Sequence, residues 1–75
     1  MAKTKKPIRD IRTTYRYKEM LRIMDKAEYQ RIDIITLSKI ADYIAWLNKF
    51  NKISKDEVDV LAIRMTDIFD LQKEF

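Results

Sequence analysis

The chain contains no glycine among its 75 residues, and this absence constrains its fold more than any other feature of the sequence. Tight β-hairpins and β-bulges usually need a residue that accepts a positive φ angle, and glycine does so at the lowest steric cost. The chain also has a single proline, at Pro7. We therefore predict an all-α fold whose helices are joined by short turns.

The segment from Thr36 to Phe50 is the most continuously apolar part of the chain. Projected at about 100° per residue, its apolar side chains cover roughly two-thirds of a helix circumference. These side chains are Leu37, Ile40, Ala41, Ile44 and Leu47, widened by Tyr43, Trp46 and Phe50. A helix this apolar needs more than one neighbour to cover it, so we predict it as the central member of a small three-helix bundle.

A first amphipathic helix is predicted from about Tyr15 to Gln30, with Thr13 or Thr14 as its N-cap. Its expected core face consists of Tyr17, Met20, Leu21, Met24 and Ala27. The next residues, Arg31 to Ile35, alternate like a short strand. No other segment offers them a partner strand, so we interpret them as the turn into the second helix.

The ends of the second and third helices carry clear local signals. Asp33 or Thr36 can cap the start of helix 2, and Asn51 is suited to end it in the absence of glycine. Helix 3 begins at Ser54, which forms a capping box with Glu57. The core face predicted for helix 3 consists of Val58, Leu61, Ala62, Met65, Ile68 and Phe69.

The formal charge of +4 is distributed unevenly along the chain. Residues 1–18 hold seven bases against Asp10 alone, a net of +6, whereas residues 19–75 hold nine bases and eleven acids, a net of −2. Segments with so many charges and so few apolar groups do not repay the entropy of ordering. We therefore predict a flexible basic arm, residues 1–12, followed by a single three-helix domain, residues 13–75.

Several classes of function are disfavoured by the residues that the sequence lacks. With no cysteine and no histidine, the chain cannot form the usual zinc sites or a Cys- or His-based catalytic centre. Without glycine it cannot form a glycine-rich phosphate loop. Carboxylate pairs such as Asp56 and Asp59 are typical of a solvated helix surface. We expect a non-enzymatic protein without cofactor, metal or small-molecule substrate.

The apolar runs are too short to indicate membrane insertion. None approaches the 18 or more residues of a membrane span, and the basic start of the chain lacks the apolar region of a secretory signal. We expect a soluble, cytoplasmic protein with no membrane partner. Its many isoleucines, and its preference for lysine over arginine, are typical of A/T-rich coding sequences such as those of phages and plasmids.

A row of basic residues continues from the arm along the outer face of helix 1. Lys18, Arg22 and Lys26 are spaced four residues apart, and Tyr15 and Tyr29 lie at the two ends of the row. Such a row can follow a phosphate backbone while a tyrosine stacks on an unpaired base. We hypothesise that this basic ridge and the arm contact nucleic acid through Lys3, Lys5, Lys6, Arg9, Arg12, Arg16, Lys18, Arg22 and Lys26.

The alternative interpretation of the ridge is an ordinary solvated helix face. Glu19 and Asp25 each lie three residues from Arg22 and can neutralise its charge. The arm would then serve only to keep the protein soluble.

The segment Leu37–Phe50 resembles the first half of a helix-turn-helix motif. Ala41 and Ile44 stand where such motifs place a small and an apolar residue. The resemblance implies a turn near Ala45, followed by a DNA-recognition helix. The sequence departs from it there, because the helical pattern continues through Trp46.

A second functional hypothesis is a protein-binding adaptor or inhibitor of the kind that phages encode. Aromatic anchors are favoured in protein interfaces, and Tyr43, Trp46 and Phe50 follow one edge of helix 2. Their other interpretation is simple core packing. Self-association as a dimer through the aromatic edge is a further alternative.

The outer side of helix 3 is acidic and belongs to this second hypothesis. Its carboxylates are Asp56, Asp59, Asp67, Asp70 and Glu74, with Ile63 among them. Of these, Asp59, Asp67 and Asp70 are the candidate interface residues on helix 3. Arg64 is expected to pair with Asp67, three residues further on.

Overall fold

A short 3-10 helix and three α-helices make up the computed structural model, which describes residues 10–75. In chain order these are the 3-10 helix Ile11–Thr13, α1 (Tyr15–Ala27), α2 (Ile34–Lys49) and α3 (Lys55–Gln72). This described part contains no β-strand. The prediction of an all-α three-helix bundle is confirmed. Of the residues predicted as the turn into helix 2, Arg31 to Ile35, the first three form the connection and Ile34 and Ile35 belong to α2.

The helices begin where the capping signals place them. Thr14 caps α1 and Asp33 caps α2, each by accepting a hydrogen bond from a backbone N–H of the first turn. At the start of α3 the backbone N–H of Glu57 donates to the Ser54 hydroxyl at 3.1 Å, and the Ser54 backbone N–H donates to the Glu57 carboxylate at 3.3 Å. The predicted capping box is therefore present.

The end of α2 depends on Asn51, which is the residue with a positive φ angle, 53°, in the described part of the chain. The backbone N–H of Lys52 donates to the carbonyl of Leu47 at 2.9 Å, which closes a Schellman-type end. Asparagine accepts the left-handed conformation more readily than other non-glycine residues. Asn51 thus performs the role predicted for it.

The second helix is uninterrupted at the point where a helix-turn-helix motif would turn. Ala45 lies inside α2, four residues before its end at Lys49. The following helix begins only at Lys55. The resemblance to the helix-turn-helix motif therefore does not extend to the structure.

Side chains from all three helices form one hydrophobic core. Its buried members are Tyr17, Met20, Met24, Ala27, Leu37, Ile40, Tyr43, Ile44, Leu47, Leu61, Met65 and Ile68. The core face predicted for helix 1 is confirmed, with Leu21 half-buried at its edge. On helix 2 the centre of the predicted face is buried, whereas Ala41 is half-buried and Trp46 and Phe50 are exposed. On helix 3, Val58 and Phe69 are half-buried, so only the centre of its predicted face is fully enclosed.

Three apolar residues are exposed at the edge of the bundle. Ala62, predicted for the core face of helix 3, is exposed and lines a groove between α2 and α3 with Ala41 and Ala45. Ile34 and Ile35, in the first turn of α2, are 62% and 65% exposed.

The third helix packs closely against both of the others. Although α2 contributes the largest share of buried side chains, it is not the central helix that the sequence predicted, because α1 and α2 are separated at the surface by a groove of about 280 Å³. The helix that joins the bundle together is therefore α3. Its last residue, Gln72, shows this most clearly.

The Gln72 side chain bonds to three backbone groups around the α1–α2 connection. Its amide nitrogen donates to the carbonyls of Ala27 and Gln30 at 2.8 and 2.9 Å, and its amide oxygen accepts from the N–H of Ile32 at 2.9 Å. These backbone groups lie at the end of α1 and beyond it, where they lack helical partners. Gln72 thus fixes the path of the chain between the first two helices.

Candidate nucleic-acid interface

The ridge predicted on helix 1 faces outward. Tyr15 and Tyr29, at its two ends, are 80% and 68% exposed. Between them Lys18 and Arg22 are exposed and Lys26 is half-buried. None of these side chains belongs to the core, so the surface required by the first hypothesis exists in the described residues.

Arg22 is paired along its own helix. Its Nε donates to Glu19 Oε1 at 3.0 Å, and its Nη2 contacts the second oxygen of the same carboxylate. This hydrogen bonding lowers the pKa of Glu19. The expected neutralisation of Arg22 by Glu19 is therefore present, whereas Asp25 contacts a residue of α3 instead.

Arg12 ties the start of the chain to α3. Its Nη1 donates to Glu57 Oε2 at 2.9 Å, and its Nε donates to Asp10 Oδ1 at 3.1 Å. The backbone N–H of Arg12 also bonds to Asp10, and this bond is the main cause of the lowered pKa of that carboxyl. With Ile11 half-buried against the core, residues 10–12 contact the helical body.

Arg16 lies against the aromatic edge of α2 rather than on the ridge. Its guanidinium carbon is 4.2 Å from the centroid of the Tyr43 ring, a cation–π contact between α1 and α2. Arg16 also lines the groove between the two helices, together with Tyr15 and Lys39. This groove connects the start of the ridge to the aromatic edge.

The candidate cations therefore divide by residue type. Lys18 and Lys26 form no ion pair within residues 10–75, whereas Arg12, Arg16 and Arg22 are each engaged by a carboxylate or an aromatic ring. The remaining candidates, Lys3, Lys5, Lys6 and Arg9, lie outside the described residues. On the ridge itself, lysines are the groups left for a ligand.

The aromatic edge of α2 is a row of three rings in contact. Tyr43 and Trp46 stack with their centroids 5.9 Å apart and their planes 12° apart, and Phe50 lies 5.5 Å from Trp46 at 48°. Exposure rises along the row: Tyr43 is buried, Trp46 is 39% exposed and Phe50 52%. The row is thus core at one end and surface at the other.

Lysines surround the exposed end of this row, a feature that the sequence analysis missed. The ammonium of Lys52 lies 5.7 Å from the Trp46 ring centroid, and that of Lys49 lies 5.6 Å from the Phe50 ring centroid. Residues 34–55 carry four lysines and one carboxylate, a net of +3. Averaging charge over residues 19–75 concealed this, and charge counted helix by helix would have found it.

The outer face of α3 is acidic, as expected. Asp59, Asp67 and Asp70 are exposed, and Asp70 makes only a long contact of 3.6 Å with Lys73. Val60 and Ile63, on the outward side of the same helix, are 63% and 64% exposed. This face therefore combines negative charge with accessible apolar surface.

Arg64 does not pair with Asp67, so that prediction is wrong. Its Nε donates to Glu28 Oε2 at 2.8 Å, and its Nη2 contacts Asp25. The two carboxylates raise the pKa of Arg64. A guanidinium that reaches two carboxylates on a neighbouring helix gains more than from one exposed pair on its own helix.

Neither a metal centre nor a relative of known function directs the interpretation of these surfaces. Residues 10–75 contain no group of three or more acidic side chains placed to hold a metal ion. Over the same residues, no helix combines the length and apolarity needed to cross a membrane. Comparison of the chain with protein-family models, curated proteins and solved structures gave no match.

Proposed function

We propose that the protein is a small non-enzymatic nucleic-acid-binding protein that uses its basic arm and the outer face of α1. The observation that carries the proposal is the outward face of α1, where Lys18 and Lys26 stand without ion partners in the described chain between exposed Tyr15 and Tyr29. This face continues from the most basic stretch of the sequence, residues 1–18.

Two physical arguments support the proposal. Lys18 and Lys26 are eight residues apart, which corresponds to about 12 Å along the helix axis. Cations at such a spacing can contact well-separated phosphates, and each phosphate neutralised releases counterions into solution. The resulting affinity depends on charge and carries little base specificity, because phosphate contacts position a protein without reading sequence.

The test is the binding of a fluorescently labelled oligonucleotide across a series of salt concentrations, followed by anisotropy. We expect binding at low salt, with an affinity that falls steeply as salt rises. Replacing Lys18 or Lys26 by alanine should weaken binding and reduce the salt slope by about one phosphate contact each.

The matched control for these variants is Lys73→Ala. Lys73 is an exposed lysine at the end of α3, beside Asp70 and away from the outer face of α1. The Lys73→Ala substitution should leave both the affinity for the oligonucleotide and the salt slope unchanged. Absence of binding at low salt, or an affinity indifferent to salt, would exclude the proposal.

The outer face of α3 favours a second candidate function, a protein-binding adaptor or inhibitor. Exposed Val60 and Ile63 beside Asp59 and Asp67 give this face apolar contact area and a negative field. A cationic protein partner is the chemical complement of such a surface.

A pull-down from lysate with and without nuclease separates the two candidates. The adaptor function predicts a protein partner that survives nuclease treatment and is lost in the double variant Asp67→Lys with Asp70→Lys. Partners that disappear with nuclease would favour the nucleic-acid function. The variant Ile63→Ser tests the apolar part of the same face without changing charge.

A further inference from the structure

We infer that the exposed end of the aromatic edge, Trp46 and Phe50 with Lys49 and Lys52, is a stacking site for a single-stranded nucleic acid. The inference rests on the proposed nucleic-acid function and adds a second contact surface, on α2, to the one on α1. It also specifies the ligand, which is an unpaired strand recognised through base faces and phosphates.

The first support is the rigidity of the aromatic row. Trp46 stacks on buried Tyr43, which in turn contacts the Arg16 guanidinium, so the indole is held from the core side by a fixed ring. A ring that is already oriented loses little conformational freedom when a base stacks on it. Trp46 is therefore oriented for ligand contact, and Phe50 extends the row by a tilted contact with it.

The second support is the chemistry of the cations beside the rings. Lys52 and Lys49 lie more than 5.5 Å from the Trp46 and Phe50 centroids, and both lysines are exposed. Base stacking on an aromatic ring is stronger than an exposed cation–π contact, so a base can displace either ammonium. A displaced lysine remains close enough to contact the phosphate of the stacked nucleotide.

The wider charge of this surface is compatible with a phosphate backbone. Asp42 is the single carboxylate of α2, and Lys39 and Lys49 lie within two turns of it on the same helix. Lys55 adds a further exposed cation at the start of α3. Asp56 and Glu57 follow Lys55, and Glu57 is paired with Arg12, so the excess of positive charge is that of residues 34–55.

The same lysines disfavour a protein ligand at this edge. Aromatic side chains are enriched in protein interfaces, but lysine is depleted there relative to the rest of the surface. Alternation of exposed rings with lysines is instead the pattern of surfaces that bind unpaired nucleic acid. A duplex keeps its base faces stacked internally, so it cannot use Trp46 and Phe50 in this way.

The contacts that define the site are shared by DNA and RNA. Ring faces meet bases and ammonium groups meet phosphates, and neither contact involves the sugar 2′-hydroxyl. We therefore expect oligo(dT) and oligo(U) of equal length to bind with affinities within a few-fold of each other.

The direct test uses the intrinsic fluorescence of Trp46, which is the one tryptophan in the chain. The full-length protein is titrated with oligo(dT), oligo(U) and a duplex of the same length, with anisotropy of the labelled oligonucleotide measured in parallel. We expect both single strands to quench the fluorescence of Trp46, with the same midpoint concentration as the anisotropy curve. The duplex should cause little quenching.

Two substitutions measure the contribution of the rings. Phe50→Ala retains the fluorescent reporter and should weaken single-strand binding roughly tenfold. Trp46→Leu, followed by anisotropy alone, keeps an apolar side chain on the row and should weaken binding by about 10- to 100-fold. Circular dichroism establishes that each variant is folded.

Two further variants serve as comparisons. Lys52→Gln leaves the rings intact and should reduce the single-strand salt slope by about 0.7, the value of one phosphate contact. Ile63→Ala removes a similarly exposed apolar side chain from the acidic face of α3 and should leave affinity unchanged. Lys52→Gln also tests the site if either ring variant fails to fold.

The possible failures are distinguishable. Salt-sensitive binding by anisotropy with no quenching of Trp46, or with equal affinity for single strand and duplex, would overturn the stacking site and leave the proposed function intact. Absence of binding to any oligonucleotide at low salt would overturn both. Quenching that Phe50→Ala and Lys52→Gln do not change would also reject the site.

Discussion

The two sides of α1 are held to the rest of the bundle in different ways. Towards α3, polar groups cross between elements: Arg64 contacts Asp25 and Glu28, and Gln72 bonds to the backbone at the end of α1. Towards α2, the polar contact is Arg16 against the Tyr43 ring, beside an open groove. The side of α1 that faces α3 is therefore closed by hydrogen bonds. The side that faces α2 is open and presents aromatic rings and cations to solvent.

This difference assigns separate roles to arginine and lysine. The planar guanidinium makes several directed hydrogen bonds or stacks on a ring, so it suits permanent contacts between elements. The lysine ammonium is strongly hydrated and its side chain is flexible, so it suits a ligand that arrives from solvent. In this chain the arginines Arg12, Arg16 and Arg64 join elements, and the lysines of α1 and α2 remain at the surface.

The substitution expected to change stability most is Gln72→Ala, on the closed side of α1. This substitution removes the three hydrogen bonds of the Gln72 side chain. The carbonyls of Ala27 and Gln30 and the N–H of Ile32 lose these partners. We expect a loss of about 2 kcal/mol in the free energy of unfolding. In a domain of this size that lowers Tm by roughly 10 °C.

Urea denaturation and thermal melting followed by circular dichroism measure this effect. Lys73→Ala, at the adjacent and exposed position, is the control and should change Tm by little. An unchanged Tm in Gln72→Ala would show that the closed side does not depend on this side chain.

The next effect is expected from Arg64→Ala, which removes the ionic contact between α3 and α1. Both carboxylates that it meets, Asp25 and Glu28, are substantially exposed, so solvent screens the pairs and the expected loss is about 1 kcal/mol. A double-mutant cycle with Glu28→Gln isolates the pair. A coupling energy near zero would show that the contact contributes no stability.

On the open side, Arg16→Ala should cost only about 0.5 kcal/mol, because an exposed cation–π contact is weak. If Arg16→Ala proves as destabilising as Arg64→Ala in the same denaturation assay, the distinction between the two sides is wrong. The variant Arg16→Lys keeps the charge and tests whether planar stacking on Tyr43 matters.

The smallest expected effect is a loss of stability at low pH through Asp33, the N-cap of α2. Hydrogen bonds from the Thr36 hydroxyl and backbone N–H lower the pKa of Asp33. Because the folded-state pKa lies below the unfolded one, this stabilisation is present above about pH 4 and is lost as pH falls through the folded-state pKa. Asp33→Asn keeps an acceptor but does not titrate.

Melting curves between pH 6 and pH 2 test this directly. The decrease of Tm on acidification should be smaller in Asp33→Asn than in the unmodified protein. The control is Asp42→Asn, an exposed acid within α2 that makes no ion pair in the described chain. An identical pH dependence in all three proteins would contradict the role given to Asp33.

Local signals in the sequence predicted the starts of the three helices and the end of α2, whereas α1 ends at Ala27 rather than at the predicted Gln30. Thr14, Asp33, Asn51 and Ser54 act through neighbours within a few residues, so the sequence alone defines their partners. The periodicity of apolar residues likewise predicted most of the core. Both signals depend on short sequence distances.

The contacts that the sequence did not predict join residues far apart in the chain. Arg64 meets Glu28 across 36 positions, and Gln72 meets Ala27 across 45. Local spacing favoured Asp67 as the partner of Arg64, but the packing angle of α3 decided the outcome. The sequence analysis treated the aromatic edge as one unit, either core or interface, because only packing separates buried Tyr43 from exposed Phe50.

The left-handed backbone conformation of Asn51 has a consequence beyond ending α2. By reversing the chain it places the backbone of Lys52 beside the last turn of α2, and the Lys52 ammonium lies 5.7 Å from the Trp46 ring centroid. A β-branched replacement at Asn51 would disturb the helix terminus and this cation together. Substitutions at Asn51 that lower stability should therefore also lower ligand affinity.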